Sequence, residues 1–127
     1  MKIAHIALWT QDLEQQARFW VNFFGGEIND KYCSKTNHGF ESYFVTIKNM
    51  MVIELMTKPG LTRVMPDNNM TGWAHLAISL GSKQAVDTMA TRAEAQGILV
   101  SQPRTTGDGY YEAVIRDPDG NIIEIVE

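Results

Sequence analysis

The chain repeats itself at a fixed offset, and that offset limits the folds open to it. Residues 4–7 read AHIA and residues 74–77 read AHLA, so the two histidines are 75 − 5 = 70 apart. Residues 51–56 read MVIELM and 121–126 read NIIEIV, and their glutamates are again 124 − 54 = 70 apart. Between these anchors both halves keep one order. QDLEQQARFWVNFFGGEI places Leu13, Ala17, Trp20 and Phe24 at helical spacing, and GSKQAVDTMATRAEAQGILV does the same with Val86, Met89, Ala90 and Ala93. Each helix is expected to end at glycine, Gly25-Gly26 in one case and Gly97 in the other. Extended segments follow, 27–33, 40–48 and 51–57 in the first half against 98–105, 110–116 and 121–126 in the second.

Each half therefore reads β-α-β-β-β. The chain is expected to be α+β, a single domain over residues 1–127 with internal modules 1–57 and 73–127. Residues 58–72, KPGLTRVMPDNNMTG, show no period and carry paired prolines, glycines and asparagines, which reads as the linker. Asp117-Pro118-Asp119-Gly120 marks a tight turn before the last strand, and Lys48-Asn49-Met50 is its weaker counterpart. Met50, Met51 and Met56 read as packing.

Charge narrows the classes of partner. Lys and Arg number 11 against 15 Asp and Glu, a net charge of −4 without a basic cluster, so nucleic acid and anionic membrane are not expected partners. No apolar run is long enough to span a bilayer, and no signal-peptide core opens the sequence. The one cysteine, Cys33, has no internal partner and reads as a packing residue on a strand. A cytoplasmic location is the expectation.

Glu54 and Glu124 raise the question of chemistry. A carboxylate in a half-buried apolar strand loses hydration worth several kcal/mol, on the order of the usual burial penalty, unless something pairs with it. Alternation puts Val52, Glu54 and Met56 on one strand face, and Ile122, Glu124 and Val126 on one face of the other. His5 shares a face with Ile3, Ala7 and Trp9, and His75 with Trp73, Ala77 and Ser79. Taken singly, a strand histidine is more often a hydrogen-bonded core residue than a ligand, and a glutamate can end at a strand edge. Two equal pairs point to a divalent cation, which neutralises both carboxylates and accepts the imidazole lone pairs.

The AHIAL strand, the GFESYFVTIKNMMVIELM hairpin, the GWAHLAIS strand and the terminal DPDGNIIEIVE resemble the vicinal oxygen chelate superfamily of glyoxalases, bleomycin resistance proteins and extradiol dioxygenases. That resemblance covers essentially the whole chain. It implies paired βαβββ modules forming an incomplete, cupped β-barrel around a metal. His5, Glu54, His75 and Glu124 match the four ligands of the lactoylglutathione lyase-like branch, with modules paired within a chain or across a homodimer. A lyase or isomerase is then implied, abstracting a proton next to a carbonyl through a metal-stabilised enediolate, with Glu124 as base and Glu54 opposite. Ni, Co, Zn, Mn and Fe all suit such donors.

The implied partner is a small-molecule substrate, a 2-oxoaldehyde thiol adduct being one candidate. Glutathione-using members commonly carry a basic residue four positions after the first histidine. Here that position is Trp9, which suits an apolar or planar substrate portion as well as a barrel-wall role. Arg104 and Tyr110, in PRTTGDGYYE, are further candidates for substrate contact, although an exposed loop arginine is the ordinary reading; Gly107 and Gly109 suggest a flexible hairpin. His38 reads as a surface turn residue. Two alternatives stay open: a nonhaem iron dioxygenase using His5, His75 and Glu124, and a non-catalytic binding protein of the antibiotic-sequestering type.

Overall fold

The structure is a computed structural model that describes residues 1–48, 51–63 and 71–127. The turn residues Asn49 and Met50 and the central part of the 58–72 linker, residues 64–70, lie outside the described residues. The chain divides into two compact units, Met1–Val64 and Met65–Glu127.

Unit one runs β1 (Ile6–Trp9), α1 (Leu13–Phe24), β2 (Glu27–Ile28), β3 (Tyr32–Cys33), β4 (Glu41–Ile47) and β5 (Met51–Thr57). Unit two runs β6 (Leu76–Ser79), α2 (Lys83–Ala95), β7 (Leu99–Thr105), β8 (Tyr111–Arg116) and β9 (Ile122–Val126). The first sheet has the order β1-β5-β4-β2, with β3 also pairing with β4, and the second has the order β6-β9-β8-β7. In both, the first strand lies parallel to the last and the other pairings are antiparallel. Both sheets are open, and the architecture is the α+β, glyoxalase-like one.

Helix α1 starts where Asp12 accepts a hydrogen bond from the Gln15 amide, and it stops at Gly25, whose φ of 69° is left-handed. Its inner stripe, Leu13, Ala17, Trp20 and Phe24, is buried, together with Gln16 and Phe23. Gln16 has a reason to be there: its Oε1 accepts from the Trp20 indole N–H at 3.1 Å, so a polar pair is satisfied inside the core. Helix α2 is capped by Ser82 and buries Val86, Ala90 and Ala93.

Strand alternation supplies the opposing surface. Val45, Ile53 and Leu55 in unit one, and Ala113, Ile115, Ile123 and Ile125 in unit two, are essentially inaccessible. Burial of each large aliphatic among them contributes about 1.5–3 kcal/mol. One face of each sheet is thereby committed to a helix, and the residues between these positions point to the other face.

Two segments depart from the expected pattern. The extended stretch at 27–33 is two short strands. Glu27 and Ile28 pair with Thr46 and Val45, whereas Tyr32 and Cys33 pair with Ser42 and Glu41, a register one residue out of step. Asn29 sits at the break and satisfies the Phe44 amide with its side-chain oxygen at 2.7 Å, replacing a ladder bond. The register of β7 against β8 also shifts, between Ser101 and Arg104, where Pro103 cannot donate to the ladder. Cys33 lies on a strand as expected, but it is exposed rather than packed.

Candidate functional site

Histidine and glutamate meet once in each module. In the first, His5 precedes β1 by one residue, and parallel pairing sets Ala7 opposite Glu54. The His5 Nε2 lies 3.5 Å from Glu54 Oε2, with 42% of the histidine side chain exposed and 17% of the glutamate. In the second, His75 precedes β6, Ala77 is opposite Glu124, and the Nε2···Oε2 distance is 3.2 Å, with 40% and 21% exposed. The small side chains of Ala7 and Ala77 leave room beside each carboxylate for the imidazole two residues earlier. Both pairs stand on the sheet face away from the helix.

The donor chemistry fits a divalent cation. Neither glutamate has a Lys or Arg within ion-pair distance among the described residues, so each mostly buried carboxylate has only an imidazole beside it. An imidazole nitrogen and a carboxylate oxygen side by side are donor types that suit a transition metal. Two donors do not complete a site. No group of three or more His, Cys, Asp or Glu able to hold a metal occurs among the described residues, and each module offers a pair.

Strand register defines a second row of side chains on each of these faces, two residues along the strand from the glutamate. In the first module the row is Trp9, Met56, Ser42 and Tyr32. Trp9 is 44% exposed and meets Phe40 edge to face at 6.0 Å, while the Lys58 ammonium lies 4.4 Å from its ring centroid. Phe44, opposite Glu54, meets the His5 ring edge to face at 5.6 Å.

In the second module the corresponding row is Ser79, Val126, Glu112 and Arg104. Arg104 donates through Nη1 to Ser101 Oγ at 2.7 Å, and its Nη2 lies 3.3 Å from Glu112 Oε1. Glu112 is buried, and its charge is matched by this guanidinium. It escaped the sequence reading, although alternation along YEAVIR puts it on the face of Val114 and Arg116 and so beside Glu124. Tyr110 is exposed at the end of a tight hairpin, where its carbonyl accepts from the Thr106 amide at 2.8 Å. His38 is an exposed turn residue, far in sequence register from either pair.

The turn before β9 holds Glu124 in register. Asp117 is buried and accepts from the Asp119 amide, the Asn121 amide and the Asn121 side-chain amide at 3.0, 2.8 and 2.8 Å. No helix among the described residues is long and apolar enough to cross a membrane.

Comparison with known proteins agrees with this architecture. The uncharacterized protein YqjT of Bacillus subtilis (strain 168) is 31% identical over 130 residues, spanning 96% of this chain and 95% of its own length. Among solved structures, a glyoxylase/bleomycin resistance protein/dioxygenase domain from Frankia sp. EAN1pec superposes with a TM-score of 0.85 at 17% identity, over 99% of this chain and 90% of that one. The trypanothione-dependent glyoxalase I of Leishmania major gives 0.77 at 19% identity, over 100% of this chain and 86% of its own. At those identities the structural likeness is one of fold. The family model that describes the sequence matches residues 2–125, and the chain belongs to the Glyoxalase/Bleomycin resistance protein/Dioxygenase superfamily.

Proposed function

We propose that the protein is a divalent-metal-dependent lyase or isomerase of the glyoxalase type, which moves a proton on carbon next to a carbonyl in a small-molecule substrate. The observation that carries this reading is the duplicated pair, His5 with Glu54 at 3.5 Å and His75 with Glu124 at 3.2 Å, at matching places in two modules of one fold. In this reading His5, Glu54, His75 and Glu124 together hold one ion of Ni, Co, Zn, Mn or Fe, the modules combining within a chain or across a homodimer. The bound cation would act as a Lewis acid toward the substrate carbonyl.

The chain's own groups do the rest. Glu124 accepts the proton from the carbon beside the carbonyl and returns it to the neighbouring carbon, and Glu54 serves the opposite side of the substrate. The two glutamate side chains are only 17% and 21% exposed, which holds their oxygens in place for a short proton transfer. Trp9 contacts an apolar or planar portion, Arg104 an anionic one, and Tyr110 the rim; a 2-oxoaldehyde thiol adduct has such parts. A dioxygenase built on His5, His75 and Glu124 would leave Glu54 without a task. The close likeness of the Glu54 and Glu124 settings favours the four-ligand set.

Elemental analysis of untagged protein, purified without chelators, tests this beside the Glu54→Gln variant. Near-stoichiometric transition metal that is lost or much weakened in the variant is the expected result. Full retention without Glu54 would transfer the case to the three-ligand dioxygenase. No metal after reconstitution would end the chelate reading and leave a binding protein.

A further inference from the structure

We propose that Trp9, Tyr32 and Phe40, with the ammonium of Lys58, form a subsite for a planar aromatic group bearing a carboxylate or other oxyanion. The inference rests on the reading of this sheet face as the substrate face, and it does not depend on the bound cation.

Three aromatic rings gather at the end of β1, two steps along the strands from Glu54, which is about 7 Å at the usual strand rise. Phe40 meets Trp9 at 6.0 Å and Tyr32 at 6.2 Å, edge to face in both cases. Trp9 and Tyr32 nevertheless remain 44% and 53% exposed. Exposed aromatic surface beside a candidate site is the mark of a ligand surface.

The duplicated fold provides its own control. The places of Trp9, Ser42 and Tyr32 in the first sheet are those of Ser79, Glu112 and Arg104 in the second. The same βαβββ module therefore forms with a hydroxyl and an ion pair at these positions. The fold does not require the indole or the phenol there.

Lys58 supplies the charge. Its ammonium rests over the Trp9 ring, and no carboxylate lies within 4.0 Å of it among the described residues. A contact of that kind is weak at an exposed site. It is readily exchanged for an ion pair with a guest's oxyanion. The segment carrying Lys58 is fixed on two sides: Gln11 Nε2 donates to the Leu61 carbonyl at 2.6 Å, and the Pro59 ring lies against Gly39. A methyl group on Gly39 would stand only 2.5 Å from Pro59 Cγ, so this approach needs glycine beside Phe40.

Isothermal titration with 2-naphthoate and its neutral isostere 2-naphthamide tests the subsite, on protein as purified and again after dialysis against chelator. Saturable 2-naphthoate binding is expected in both preparations. Lys58→Met should weaken it about fivefold, as for a partly solvated ion pair, and leave 2-naphthamide unchanged. Trp9→Leu and Tyr32→Leu should weaken both probes, Trp9→Leu by about tenfold. Unchanged 2-naphthoate affinity in Lys58→Met, or in both aromatic variants with native circular dichroism, would overturn the proposal. The metal reading stands or falls separately: it fails if wild-type protein holds no cation, whatever the naphthoate pattern. The subsite alone fails if metal is stoichiometric and the pattern is absent.

Discussion

Gly25 and Gly26 close helix α1 side by side, and they should respond to alanine for different physical reasons. Gly25 has φ +69°, and a Cβ built there meets nothing within 4 Å. Alanine at this position carries only the strain of the left-handed region, about 1 kcal/mol. At Gly26 no such φ applies, but a Cβ would lie 2.4 Å from Val45 Cγ1, 3.1 Å from the Trp20 carbonyl oxygen and 3.5 Å from Ile47 Cγ1.

Carbon atoms in contact rest at about 3.5–4.0 Å, so the Gly26 methyl and the valine must separate by roughly 1 Å. Val45 is fully buried and β-branched, hence stiff about its first side-chain torsion. The overlap should cost about 1–3 kcal/mol. Val45→Ala removes the offending atom at its own cost of about 2 kcal/mol. The double variant Gly26→Ala/Val45→Ala should then be more stable than the sum of its singles by about 1–2 kcal/mol, whereas Gly25→Ala/Val45→Ala should be additive. Urea denaturation with a constant m value measures all five species against wild type. Additivity within about 0.3 kcal/mol for the Gly26 pair would refute the steric account.

Asp117→Ala removes the acceptor of three part-buried hydrogen bonds in the turn before β9 and should lower stability by about 1–3 kcal/mol, read as a fall in the thermal midpoint; an unchanged midpoint would mean that water replaces the carboxylate. Glu14 behaves differently because its partner is at the surface. The Lys31 ammonium, 2.6 Å away, holds the Glu14 carboxyl below its ordinary value of 4.5. A depressed carboxyl stabilises the folded state above the unfolded-state value and loses that contribution as pH falls through the folded-state one. Glu14→Gln should therefore cost at most about 1 kcal/mol at neutral pH, with the two proteins converging in urea midpoint on acidification below 4.5. A gap that persists in acid would assign the effect to packing.

Much of the fold was legible because the repeat compares two solutions to one packing problem. Helical spacing identified the buried stripe of α1, and strand alternation identified the faces of Glu54 and Glu124, since both depend only on local periodicity. The break at Asn29 was not legible, because a side chain replacing a ladder bond leaves no mark in the hydropathy pattern. The pairing of Glu112 with Arg104 needed the register of β7 against β8, which the shift at Pro103 hides. Lys58 over Trp9 joins residues 49 positions apart (58 − 9 = 49), a contact that spacing alone does not reveal.

The parallel return of each first strand has a kinetic consequence. His5 and Glu54 are 54 − 5 = 49 residues apart, and His75 and Glu124 are likewise 124 − 75 = 49 apart, yet each pair is in contact. Helix and hairpin contacts in a module are local, but the pairing of β1 with β5, or of β6 with β9, closes a loop through every other element of that module. Such a long loop makes this closure the entropically costliest pairing of the module and a slow one. The two histidine–glutamate pairs thus come into being only with a completed module, and a partly folded chain leaves their side chains scattered.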